Sequence, residues 1–214
     1  MAQATSFTCS SHPALCIVDM QNGFVHPTGT FGKLGLDVTP HSAPISHIRR
    51  LIDAFTAKSL PIFFFRLSFA DESYSDAGII LDKIPQVKDV KGFLRGSWDA
   101  EVVDELKPTA DDIGKGRVIV IDKTRNSPFY KTAFEDKLKE MKVDQLIVTG
   151  VGTNVCVEAT VRDAYTYGFP AVVAREAVAT LERDVHEASL KNMGSWFGDV
   201  VGLEEIEGAL RKRS

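Results

Sequence analysis

Five short, nearly unbroken apolar runs punctuate the chain: 14–19 (ALCIVD), 61–66 (PIFFFR), 117–122 (RVIVID), 144–150 (DQLIVTG) and 170–175 (PAVVAR). None alternates strictly between apolar and polar positions, so each predicts a strand covered on both faces. Between them the apolar period becomes that of a helix. Ile45, Ile48, Leu51, Ile52 and Phe55 share one face of a predicted helix over 42–59, and 99–106, 132–141, 154–167 and 182–193 show the same spacing. Strands alternating with helices predict a three-layer α/β fold: a parallel sheet with right-handed crossovers and helices on both faces. Residues 67–97 break the rhythm, and an irregular stretch of that length predicts a pocket wall or an interface.

The 214 residues suit one domain over 1–214. A formal net charge of −4 gives no footprint for nucleic acid or an anionic membrane. The basic end RKRS reads as a solvated terminus, and no apolar run approaches the roughly 20 residues that span a bilayer. The N-terminal residues lack a basic leader region, and their apolar run stops at Asp19, which makes a poor secretory signal. Three widely spaced cysteines (Cys9, Cys16 and Cys156) fit a reducing compartment and no disulfide framework. A cytoplasmic location is expected; export without a signal peptide stays open.

In an open α/β sheet, ligands sit beyond the carboxyl ends of the strands. Asp19, Lys123 and the glycine turn bearing Cys156 all fall on that rim. The turn Gly150-Val151-Gly152 has two readings. A phosphate site is suggested by strand–glycines–helix order and by Glu176 after the next strand. Val155 stands at the third glycine position, however, and the turn follows the fourth strand rather than the first, so the dinucleotide fingerprint is incomplete. A thiolate site uses more residues. Cys156 falls in the first turn of a helix with Thr153 or Asn154 as N-cap, where unpaired N–H groups and a cationic Lys123 would lower its pKa. Asp19 can carry the proton, and the N–H groups of Gly152 and Cys156 can hold an oxyanion. Cys16, inside a strand, reads as an inert small hydrophobe.

Three separated segments, ALCIVDMQNGF, VIDKTRNSPFY and VTGVGTNVCVEATVRDAYTYGF, together with GFLRGSWDAEVVDELKP, resemble the isochorismatase-like cysteine hydrolases over about residues 14 to 200. The resemblance implies a six-stranded parallel sheet, an Asp19–Lys123–Cys156 triad, a cis peptide at Val151–Gly152 and a homo-oligomer, either dimer or tetramer. Nicotinamidases of this group bind a metal through an Asp-x-His motif after strand two; here that place reads Arg66-Leu67-Ser68-Phe69-Ala70-Asp71. His12, His26, His41, His47 and His186 show no ligand spacing either, so no metal and no cofactor are expected.

Retention of Cys156 favours attack on a carbonyl, and the motifs look closest to enzymes cleaving ureides, carbamoyl compounds and small amides. The alternative is isochorismate vinyl ether hydrolysis, with Asp19 as general acid and Cys156 a bystander. Beside the triad in sequence, Gln21, Phe24, Trp98, Asn126, Phe129, Tyr130 and Asn154 are candidates for the wall around a small-molecule substrate. Arg66 and Arg95 are expected in salt bridges rather than on a substrate carboxylate.

Overall fold

The computed structural model describes residues 7–212. Residues 1–6, part of the stretch read for a leader, and Arg213 and Ser214 of the basic end lie outside the described residues.

All five apolar runs form strands: β1 (Pro13–Val18), β2 (Ile62–Leu67), β3 (Val118–Lys123), β4 (Gln145–Val151) and β5 (Ala171–Ala179). A sixth, β6 (Asp199–Val201), completes a parallel sheet in the order β3-β2-β1-β4-β5-β6. At three residues β6 is too short to carry a periodic signal of its own.

Alternation along the strands divides the core in two. Leu15, Ile17, Ile62 and Phe64 pack with Ile48, Leu51 and Phe55 of α1 (Ile45–Ala57). Ala14, Cys16, Val18, Phe63 and Phe65 face the other way, toward Phe134 and Leu138 of α2 (Phe134–Glu140) and Val161 and Ala164 of α3 (Glu158–Thr166). The same layer takes Leu190 and Met193 of α4 (Arg183–Trp196), while α5 (Leu203–Arg211) returns to the α1 side through Ile206 and Leu210. Cys16 is fully buried among these contacts, and burial pushes its thiol up, as an inert core cysteine requires.

The predicted helix over 99–106 does not form. Only Trp98–Ala100 makes a 3₁₀ turn. The Asp99 carboxylate accepts hydrogen bonds from the N–H and hydroxyl of Thr30 and from Phe93 N–H, and Gln21 forms an isolated bridge with Val102. Long-range hydrogen bonds therefore outcompete local helical spacing. The helix expected over 154–167 also starts late, at Glu158, because Thr153–Val157 make one turn of π-helix.

The strand order reverses direction between β1 and β4, which sets a crevice at their carboxyl ends. Gly150 makes that close pairing possible. Its φ is +111°, and a Cβ there would lie 2.0 Å from Val18 O. Gly150→Ala is therefore expected to cost about 3 kcal/mol or more in urea unfolding, from overpacking combined with a disfavoured backbone. An unchanged urea midpoint would refute this account of the junction.

Candidate active site

Strand β1 ends at the junction, and the next residue, Asp19, takes φ 54° while its N–H donates to Phe65 O. Its carboxylate is thereby turned under the sheet rim, fully buried. Lys123, the last residue of β3, reaches it from two strands away: Nζ lies 2.8 Å from Asp19 Oδ2, with no side-chain exposure on either partner. Nζ also donates to Arg125 O at 3.1 Å. The second carboxylate oxygen, Oδ1, is buried and receives no N–H or O–H donor among the described residues.

Cys156 sits in the π-helical turn after β4, where its thiol feels the charges of both Asp19 and Lys123. The three triad candidates, with Asp19 more than 100 positions before the other two, are thus brought together. One expectation is reversed. Burial, followed by the Asp19 charge, pushes the Cys156 thiol well up, and the opposing pull of Lys123 does not compensate. Burial alone would push Lys123 down, but the Asp19 and Cys156 charges outweigh it and the ammonium is held above its ordinary value. Burial and the Asp19 charge thus favour the neutral thiol, and one carboxylate oxygen of Asp19 is left without an N–H or O–H donor among the described residues.

The Val151–Gly152 peptide is cis. No side chain caps the turn that follows: Thr153 Oγ1 pairs with His186 Nδ1 at 2.9 Å, and Asn154 Oδ1 accepts from Thr180 Oγ1. Glu176 accepts from Leu203 N–H and so is turned away from the glycine turn, which removes the ribose-binding acid of the phosphate reading.

Cys156 opens onto a cavity of about 680 Å³. Phe24, Asn126 and Tyr130 line it, and Asn126 Oδ1 lies 3.9 Å from Cys156 Sγ. The other four wall candidates do not line it. Gln21 is fully buried, donating to Leu67 O and Ala100 O and accepting from Leu67 N–H, so it ties two distant backbone segments to its own. Trp98 lies in a separate surface depression, edge-on to His26. Phe129 packs in the core against Phe134, Tyr167 and Phe169. Asn154 is held by Thr180 as described.

The walls that residue-by-residue reading missed are Phe31, Phe69, Leu81, Val87 and Phe93. Most come from 67–97, whose irregular length was the available signal. Arg66 and Arg95 both pair with Asp122, at 2.8 Å and 3.7 Å. Each histidine has a nearby partner: Ser11 for His12, Thr28 for His26, Phe24 O for His41, Glu176 O for His47 and Thr153 for His186.

A buried acid and amine behind a thiol, at the switch point of a doubly wound parallel sheet, define the class of a cysteine hydrolase. The profile of the isochorismatase domain matches residues 13–205, and the chain belongs to that family of hydrolases. It is 34% identical over 208 residues to a ureidoacrylate amidohydrolase from Yersinia enterocolitica, covering 91% of this chain and 87% of that one. A second ureidoacrylate amidohydrolase, from Serratia proteamaculans, is 32% identical over 90% of this chain and 80% of its own. Among solved structures, a cysteine hydrolase from Pseudomonas syringae pv. phaseolicola superposes with a TM-score of 0.82 at 27% identity, over 94% of this chain and 92% of that one.

The charges around Cys156 act in opposite directions, and alkylation can separate them. Asp19→Asn removes the negative neighbour and is expected to shift the pH profile of Cys156 alkylation to lower pH. Lys123→Met removes the positive one and is expected to shift it to higher pH. Profiles read by mass spectrometry of the Cys156 peptide that move the other way, or not at all, would refute the arrangement.

Proposed function

We propose that this protein is a cysteine amidohydrolase cleaving the C–N bond of a small amide, ureide or carbamoyl compound, with residues 1–214 acting as one domain. The observation that carries the reading is Asp19, anchored through one oxygen to Lys123 and open at the other beside a buried protonated thiol. An acid serving only as a structural ion pair would gain stability from satisfying both oxygens. This one keeps a proton acceptor where a nucleophile needs it.

In the first half-reaction the Cys156 proton passes to Asp19 as sulfur adds to the substrate carbonyl carbon. The carbonyl π pair moves onto oxygen, which the Gly152 and Cys156 N–H groups stabilise. Asp19 returns the proton to the nitrogen, the C–N bond breaks, and ammonia or an amine leaves a thioester on Cys156. Water then gives a proton to Asp19 and adds to the thioester carbonyl. Collapse releases the acid product, and the sulfur recovers its proton from Asp19. Lys123 holds Asp19 in place between steps. No metal enters this scheme. The two relatives are named for ureidoacrylate, which supports a ureide as the first compound to try. A cytoplasmic, homo-oligomeric enzyme remains part of the proposal.

Ammonia release from a panel of ureides, carbamoyl compounds and primary amides is the direct test. Activity is expected with at least one member, and Cys156→Ala is expected to lower kcat by at least roughly 10⁴-fold, since nucleophile and base act as a unit. Pyruvate release from isochorismate that survives Cys156→Ala, with no ammonia from any amide, would replace this reading with the vinyl ether one.

A further inference from the structure

Of the three triad residues, only Cys156 lines the cavity; Asp19 and Lys123 are sealed behind it. If Cys156 is the nucleophile, as the proposed function holds, the scissile carbonyl must sit at that end. Whatever the carbonyl carries on the side away from the leaving nitrogen must then lie against the remaining wall. Twelve of the nineteen lining residues have hydrocarbon side chains. Phe24, Phe69, Phe93, Leu81 and Val87 form the buried part. Their rings interlock, with Phe24 4.3 Å from Phe93 and 4.8 Å from Phe31 between centroids, so the wall is preformed rather than assembled around a guest.

The polar side chains that line the cavity lie apart from the phenylalanine wall: Lys83 and Tyr130 are exposed, Asp163 is half-buried, and the rest follow β3. These are Arg125, Asn126 and Ser127, with Asn126 beside the sulfur. Arg125 Nη1 donates to Asp76 O and Thr124 O, and the guanidinium lies over the Tyr130 ring at 5.2 Å. Ser127 Oγ accepts from Phe129 N–H. The Asp99 carboxylate, behind Phe93, is taken by Thr30 and Phe93. A polar substituent pressed against the phenylalanine wall would lose its water and find no replacement partner there.

We infer that the substrate carries an apolar substituent opposite its leaving nitrogen, as an alkyl- or aryl-substituted amide or ureide. The phenylalanine wall selects it, and Asn126 addresses the polar amide head.

Binding separates this inference from the catalytic one. Full-length Cys156→Ala would be titrated by calorimetry with acetamide, butanamide, hexanamide and phenylacetamide, and in parallel with N-methyl-, N-butyl- and N-benzylurea. Affinity is expected to rise about fourfold per added methylene until the wall is covered, and kcat/KM for ammonia release by the native enzyme should rise in the same order. Ile84, on the cavity rim and partly exposed, tolerates substitution more safely than the buried phenylalanines. Ile84→Asn should lower the ratio of hexanamide to acetamide affinity. Affinity that stays flat or falls with chain length overturns the inference, even if the enzyme hydrolyses short ureides and the amidohydrolase reading stands. A rising series on the variant, with no ammonia released from any member by the native enzyme, supports the apolar site while the amidohydrolase reading fails.

Discussion

The ion pair between Lys123 and Asp19 constrains everything else at this site. Taking an ammonium and a carboxylate out of water costs several kcal/mol per ion, and removing one partner of such a pair typically costs about 3–5 kcal/mol because the other stays charged and buried. The pair can persist only if its geometry is held from all sides. Strand register does this. Lys123 stands opposite Leu67 at the end of β2, Phe65 stands opposite Val18, and neighbouring strands lie roughly 4.8 Å apart. A lysine stem is long enough to cross one intervening strand and meet an aspartate placed just beyond the third. Asp122, one residue earlier, points to the opposite face by the period of two and is spent on Arg66 and Arg95. One step of register would exchange these two duties.

The same burial that makes the pair costly explains the state of the thiol. A helix N-terminus and a lysine are the usual means of stabilising a thiolate. Here the thiol lies too deep for them to prevail, and the anionic neighbour opposes them. In the proposed mechanism the nucleophile is therefore stored as a neutral thiol rather than a thiolate. In that mechanism proton transfer is coupled to attack: negative charge leaves Asp19 as it develops on the substrate oxygen, and the net charge of the buried region stays the same throughout. In a low-dielectric site that is cheaper than holding two anions side by side.

The sheet was legible because strands covered on both faces leave long apolar runs, and the triad was legible because strand-end residues of an open α/β sheet converge. Residues whose role is set by a distant partner were not. Gln21 looks like a wall residue from its place beside Asp19, yet its amide is consumed by Leu67 and Ala100, 46 and 79 positions away. Asp99 opens a stretch with helical spacing, yet Thr30 and Phe93 capture its carboxylate and the helix is lost. Trp98 follows that turn outward to the surface. The π-helical turn at Thr153–Val157 inserts a wider loop of backbone where an α-helix was expected, and nothing in the apolar period marks it.

Residues 67–97 join these points. Phe69, Leu81, Val87 and Phe93 of this loop share one hydrophobic cluster with Leu15, Ile17 and Phe64 of the sheet, so the loop extends the core layer on the α1 side. The bridge between Phe69 and Leu94 closes the loop on itself, and Asp99 ties it to Thr30 by accepting from both Phe93 N–H and Thr30 N–H. Burying those rings against Phe24 supplies the loop's stability, and the space left above Cys156 becomes the cavity. The feature that stabilises the loop and the feature that would select a substrate are therefore one apolar surface. A mutation that makes the wall polar should cost stability as well as specificity, which opposes any drift of the site toward wholly polar substrates.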